Sequence, residues 1–534
     1  MRLRPLLVSL CAGAAVVAGQ TAAIADDNPQ PVDRMHNVQS APAPETSAQF
    51  GTAPKPKPGV PVCTTATSSA ANVNTDCENL AGPHNETSIA VNPKNPLNMI
   101  GGVNDYALAL NTTGKLSETI LSQAHVTFDG GKTWSDFSVF GNAGYQATGD
   151  PAIAFDANGT AYYSTLGFRF VSAGNVMNPD VVVNTSTDGG RTWNETVVQH
   201  GSGLFSSPGN SLDKEFDAAW GNGNAIVTWT NFLQDQKGAI VSVTTHSSVT
   251  HDGGKTWSPQ NTISGNFTSS DFTTPQMTAD GRLFTTFINT PAGSTDGRDD
   301  FEIAELSPET GALIGGPTKI ATVFDGNTDY PFAFGRQTYQ DSVFRNGDQF
   351  SLAADPTNGA HLAAVWADMR NSTLPAPADP YKAKTNSDVI VSQSFDHGAT
   401  WSPATALTIP NDQFQPWGAY DTTGHLRIGF FDRQYDSANH KYGYTVATET
   451  VPGSLSFTTV QASTGLSDPT TGDRWFARNV NPAFPRASAF IGDYSGIAAT
   501  PDGGVIAFWT DLTQPATFAG VTRSGEFAFF AKVA

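Results

Sequence analysis

Positive charge is scarce in this chain: 29 Lys and Arg stand against 49 Asp and Glu in 534 residues, a formal net charge of −20. Such a balance repels phosphate backbones and anionic membrane surfaces, which argues against a nucleic-acid partner. Cysteine occurs only three times, too few for a disulfide-built scaffold in a chain of this length. Charged residues of both signs reach only 15%, which excludes coiled coils and long helical bundles. No apolar run is long enough to span a bilayer. The ten histidines show no HExxH or comparable ligand spacing, and P-loop, dinucleotide and GxSxG phrases are absent. What the chain has in quantity is Gly (51), Pro (34) and Phe (33), with abundant Thr and Ser, the composition of many short strands joined by tight turns.

The N-terminal segment reads as an address. Arg2 and Arg4 precede an apolar stretch from Leu6 to Gly19, and Ala23-Ile24-Ala25 offers the small residues a signal peptidase accepts. Residues 1–25 are expected to be a cleaved secretion signal, which makes the mature chain soluble, exported and extracellular. Residues 26–60, rich in Pro, Ala and Thr, are expected to form a disordered tether. Cys11 leaves with the signal. Cys63 and Cys77 remain, and an oxidising compartment favours a local disulfide in a lead-in over residues 61–83. Two thiols with no histidine cluster beside them in the sequence make a poor zinc site.

One phrase recurs: VTFDGGKTW at Val126 to Trp134, STDGGRTW at Ser186 to Trp193, THDGGKTW at Thr250 to Trp257, and a degraded SFDHGATW at Ser394 to Trp401. In each copy the aspartate suits a turn in which its carboxylate accepts backbone N–H groups, while glycine supplies positive φ and tryptophan covers the hairpin base. Asp129, Asp188, Asp252 and Asp396 are therefore expected to be structural. They lie 59, 64 and 144 residues apart, the last being two steps of 72, as though one unit had lost its copy. A second pattern, strand, Asx-Gly or Asx-Pro turn, strand, opens at Glu86, Asp150, Glu215, Thr274, Gln349, Gln415 and Asp493. Seven units of this length predict an all-β fold over residues 84–534: a β-propeller of seven four-stranded antiparallel blades, six being the alternative.

The phrase [ST]-x-D-x-G-x-T-W resembles the Asp-box, or BNR repeat, of sialidases and related β-propellers. That resemblance implies a glycan-active, sialidase-like glycosidase, with the repeats on outer hairpins away from a central pocket. Sialidase catalytic domains have six blades, which the unit count here exceeds. The family also implies a tyrosine nucleophile activated by a glutamate, with an aspartate as acid/base. By blade position these roles fall on Tyr494, Glu215 and Asp150. The family's early Arg-Ile-Pro arginine, one of three that clamp the sugar carboxylate, has no counterpart between Arg34 and the first repeat. Arg336, Arg370 and Arg433 remain to supply a clamp.

Aligned strand starts form a ring where the blades converge, so Asp493, Glu86, Asp150 and Glu215 are expected to make an acidic crescent at one mouth of the channel. Arg370 and Arg433, in the phrases ADMR and FDR, are expected across from it, and Trp417 beside the ring is a candidate sugar-stacking platform. Asp368, Asp432 and Asp511 end strands, where an aspartate caps a loop or pairs with a neighbouring arginine. No cofactor is expected. Ca²⁺ is the cation that carboxylates alone would suit, but DGNTD at Asp325 to Asp329 lacks the glutamate of a calcium loop and reads as a plain turn. The chain is thus expected to be a secreted monomer acting on an extracellular glycan through a pair of carboxylates, without nucleic acid or membrane insertion. The alternatives are a non-catalytic glycan- or protein-binding propeller and a polysaccharide lyase.

Overall fold

The computed structural model describes residues 59–534, apart from 67–71, 78–81, 111–115, 140–143, 173–174, 205–206, 327–328, 334–335, 343, 347–349, 373–381, 470–489 and 519–520. The proposed signal and nearly all of the proposed tether lie outside the described residues, as does Gln349. Seven antiparallel sheets surround one axis. Their innermost strands are His84–Val91, Ala147–Phe155, Gly209–Trp220, Ser270–Met277, Phe350–Ala354, Gln413–Tyr420 and Gly496–Ala499. The sheets that start with these strands are blades 1 to 7 below. Among the described residues no helix is long and apolar enough to cross a membrane.

A flat sheet buries neither face alone, so each blade depends on its neighbours. Seven apolar clusters fill the wedges between consecutive blades, from Ile100, Val126 and Tyr163 between blades 1 and 2 round to Ile506, Phe508 and Ile89 between blades 7 and 1. The repeated phrase closes the hairpin between the third and fourth strands of blades 1, 2, 3 and 5. In the first copy Asp129 Oδ1 accepts from the backbone N–H of Lys132 and Thr133, both at 2.9 Å, and Thr127 Oγ1 accepts from Gly131 at 2.9 Å. Asp188, Asp252 and Asp396 repeat the turn around Thr192, Thr256 and Thr400. The tryptophan of each phrase packs into the wedge toward the preceding blade. Trp134 meets Phe530 of blade 7 at 5.1 Å between ring centres.

The segment expected as a separate lead-in is part of the wheel. Cys63–Ala66 adds a fifth strand to the outer edge of blade 1, and Asn72–Asn74 pairs with Phe527–Val533 as the outermost strand of blade 7. The ring is thus closed by hydrogen bonds between the two ends of the described chain, and this pairing covers an edge that would otherwise be exposed. Cys63 and Cys77 are disulfide-bonded, with the closing strand inside the loop they define.

Opening this bond should loosen the closing strand. A bridge across a separation of 14 residues is worth about 3 kcal/mol through the entropy of the unfolded chain. The double variant Cys63→Ser/Cys77→Ser is expected to lose about that much in urea unfolding; an unchanged midpoint would show that closure does not rely on the bridge.

Candidate functional site at the hub

Five of the seven inner strands, those of blades 1, 2, 3, 4 and 6, carry an extra residue where they approach the axis. The register slips between Asn85 and Ser88, Gly149 and Ala152, Asp213 and Phe216, Asp271 and Thr274, and Phe414 and Trp417. At each slip one residue adopts left-handed backbone: Glu86 (φ 54°), Asp150 (63°), Lys214 (53°), Phe272 (54°) and Gln415 (51°). Gly492 (90°) lies just ahead of Asp493, outside the Gly496–Ala499 strand. Such conformations cost about 1–3 kcal/mol each in a residue other than glycine. In these five blades they aim one side chain at the axis.

The ring differs from the expected one in two blades. Lys214, not Glu215, occupies the position in blade 3, and Phe272 replaces Thr274 in blade 4. The acidic residues nevertheless come together. The Lys214 ammonium contacts Asp493 directly and lies 3.9 Å from Asp150 Oδ2 and 4.0 Å from Glu86 Oε1. Arg345, from the connector between blades 4 and 5, grips Asp493 with two nitrogens, its Nε donating to Oδ1 at 2.6 Å. Asn104 links the first two blades: its Nδ2 donates to Glu86 Oε2 at 2.6 Å while its Oδ1 accepts from the Asp150 N–H at 2.8 Å. Glu215 lies near Asp150, and neither of its carboxyl oxygens has a hydrogen-bond partner among the described residues. Glu86, Asp150, Glu215 and Asp493 are at most 1% exposed. The expected open mouth is therefore a closed hub.

Burial sets the charge states. It pushes Glu86 up to about 7 and Asp150 up to about 8, against the pull of Lys214 in both cases. Asp213 and Asp271 are likewise raised by burial to about 7. Burial, with Asp150 as the strongest neighbouring charge, drives Glu215 well above the ordinary carboxyl range. For Asp493 burial is outweighed by Arg345 and Lys214, and its carboxyl is held at about 2. One ionised carboxylate thus stands among several protonated ones.

Tyr494 closes the hub from below. Its hydroxyl donates to the Pro151 carbonyl at 3.1 Å, and burial followed by the charges of Glu86, Asp150 and Glu215 raises its pKa well above normal. Its ring, with Phe216, Phe272 and Trp417, forms an aromatic layer whose rings lie 5.1–5.4 Å from Phe216. Beyond that layer the inner strands line a partly open cavity of about 320 Å³, with Ala154, Ala219 and Ala353 in its wall beside the larger Gln276, Met277 and Tyr420. Trp417 is thus packed in this layer, against Phe216, with one side toward the cavity.

The two arginines expected across from the crescent are engaged elsewhere. Arg370 donates to Asp368 at 2.7 and 2.9 Å and to the Thr322 carbonyl. Arg433 is fully buried on Asp412 (3.0 Å) and Ser342 (2.6 Å). Both hold connectors in place instead of forming a clamp; the Arg336 side chain lies outside the described part. Lys214 and Arg345 are the hub residues that sequence reasoning missed. Lys214 had a signal, an Asp-Lys-Glu run within a strand otherwise made mostly of apolar and small residues, whereas Arg345 sits in a connector with no repeated phrase.

No family model matches the chain, and no curated protein sequence matches it. Solved structures that align with it include a protein of unknown function from Dyadobacter fermentans, with 9% identity, 89% of this chain and 98% of that chain covered, and a TM-score of 0.41. They also include an alpha-L-arabinanase of Penicillium chrysogenum, with 11% identity, coverage of 88% and 98%, and a TM-score of 0.42. A mutant of the NanB sialidase of Streptococcus pneumoniae aligns with 8% identity, coverage of 89% and 99%, and a TM-score of 0.43. The seven-bladed architecture rests on the chain's own strand pairing.

Two outcomes are expected. Lys214→Met leaves the hub acids short of a cation and should destabilise the wheel by about 3–5 kcal/mol, with part of the loss recovered when Asp493→Asn is added. The raised carboxyls keep protons to about pH 7–8 when folded but release them near pH 4 when unfolded. Their stabilisation is complete below about pH 4 and is lost as pH rises through 7–8, whereas that of Asp493 is present above about pH 4 and lost as pH falls through about 2. Urea midpoints should therefore be lower at about pH 8.5 than at about pH 5; a flat profile between them contradicts the assignment.

Proposed function

We propose that the chain is a glycan-active propeller with the chemistry of a glycoside hydrolase, working at the hub. The observation that carries this reading is the split among neighbouring carboxyls: Asp493 ionised, with Asp150 and Glu215 holding protons near neutrality. Glycoside cleavage needs that asymmetry, one acid to protonate the leaving oxygen and one carboxylate to meet the positive charge developing on the sugar. In this reading Asp150 or Glu215 is the acid and Asp493 the carboxylate. Glu86 is held in place by Asn104 and supports the pair.

The sialidase-type role for Tyr494 is not favoured. Its hydroxyl is committed to a backbone carbonyl, and its raised pKa opposes formation of a phenolate. The second reading is a non-catalytic glycan-binding propeller, and the complete neutralisation of Asp493 by Lys214 and Arg345 is the observation in its favour. In both readings the protein acts as an exported monomer on extracellular glycan.

Incubation with sialosides, neutral glycosides and uronate polymers, following reducing ends and unsaturated products, tests this. Turnover is expected, with a drop of about 10²–10⁴-fold in Glu215→Gln or Asp150→Asn. Tyr494→Phe should stay within about tenfold of the parent, well short of the loss expected for an acid/base residue. Rate should fall as pH rises through about 8, where Asp150 loses its proton. Binding without turnover selects the second reading, unsaturated products indicate a lyase, and a chain inert toward the whole panel overturns the proposal.

A further inference from the structure

The cavity beyond the aromatic layer follows a pattern with one exception. Counted from the register slip, Ser88, Ala152, Phe216, Thr274 and Trp417 hold one place in their blades. The hydroxyls of Ser88 and Thr274 accept from the backbone N–H of Ile153 (3.1 Å) and Leu352 (3.2 Å), each in the next blade. Ser351 accepts in the same way from Gly418 at 3.0 Å and so holds that place in blade 5. In blade 7 Gly496 holds it, since a Cβ there would lie 3.0 Å from the Ile89 nitrogen. Phe216 and Trp417 meet across the axis at 5.4 Å between ring centres, so residues two further along each strand face the axis one step past them. Six of those residues are alanine, Ala90, Ala154, Ala218, Ala353, Ala419 and Ala498, and in blade 4 the residue is Gln276. The methyl groups leave the cavity open, and Gln276 is the one long side chain at that level. It is half-buried, and its amide has no hydrogen-bond partner among the described residues. Across the axis, the Ser88 hydroxyl accepts from Ile153 and keeps its own hydrogen to donate.

We propose that this cavity binds a single uncharged sugar ring, which enters from the face of the wheel opposite the hub. Its volume of about 320 Å³ stands at the small end of ligand pockets, about 300–1,000 Å³, and suits one ring better than a chain. Trp417 and Tyr494 line the cavity on the side of the aromatic layer, where the C–H face of a sugar packs well. The Gln276 amide supplies both a donor and an acceptor to neighbouring hydroxyls. No lysine, arginine or histidine lines the cavity among the described residues. Its one carboxyl, Asp217, is turned toward blade 2, where Oδ2 accepts from the Ser164 N–H at 3.2 Å and Oδ1 is buried. Burial also raises that carboxyl to about 7. An anionic sugar would meet no cation here, and a cationic ligand no exposed carboxylate. The aromatic layer stands between this site and the hub acids, so occupancy here is separate from any cleavage there.

The test is binding by the full chain, followed by saturation-transfer NMR and tryptophan fluorescence. The probes are the methyl glycosides of glucose, galactose, mannose and arabinose, with glucuronate and N-acetylneuraminate as charged controls. At least one neutral glycoside is expected to bind, with a Kd of about 1 mM. Gln276→Ala, which completes the alanine ring, should weaken that binding about tenfold and leave the melting temperature unchanged. Ala154→Leu, which fills the cavity from its wall, should abolish it. Should Ala154→Leu fail to fold, Gln276→Ala still decides. A chain that binds none of the neutral glycosides holds only water in the cavity and overturns the proposal. Tighter binding of the charged sugars overturns it too, as does neutral-sugar affinity that is unchanged in Gln276→Ala. The readout is binding alone, so this result stands apart from turnover at the hub.

Discussion

Seven strands converging on one axis leave no room for bulk water around the side chains they point inward, so any charge placed there has to be balanced by another. That constraint governs the hub. Asp493 stays ionised because Arg345 and Lys214 both reach it, and the other acids answer burial by keeping their protons. The same desolvation that makes the hub costly to assemble separates the carboxyls into an anion and proton donors. Stability and proposed chemistry thus draw on one arrangement, and neither can be altered without disturbing the other.

The aromatic layer of Phe216, Phe272, Trp417 and Tyr494 divides the axis into two compartments of opposite character. On the side where the inner strands begin, polar groups are packed against each other. On the side where they end, small residues leave open space. Alanine and glycine recur on that stretch because seven backbones draw close there and larger side chains would collide; a Cβ on Gly496 would come within 3.0 Å of the Ile89 backbone nitrogen.

Much of the wheel was legible in the sequence because its signals are local. The turn of the repeated phrase is written within eight residues, and each Asp finds its donors three or four positions on. Blade count followed from the recurrence of strand and turn. The hub was legible only in part. Glu86 and Asp150 were found because they sit near strand starts, but an added residue in the inner strand of blade 3 shifts the frame, so Glu215 was read where Lys214 stands. Arg370 was read as a clamp although its partner is Asp368, two residues back. Arg345 carries no spacing signal, because a connector between blades 4 and 5 brings it into place.

The closing strand, Asn72–Asn74, precedes the four principal strands of blade 1 and all later blades, yet its partner strand, Phe527–Val533, comes after all the others. During synthesis on a ribosome the earlier segment must wait, unpaired, while the intervening blades emerge and fold. Contacts this distant along the chain form slowly, since a long loop has to close first. Asp493, the anion that gathers the cations of the hub, also arrives late. A nascent chain halted before the last blade would therefore expose an unpaired edge and hold an axis without its central carboxylate, two marks by which an unfinished molecule differs from a finished one.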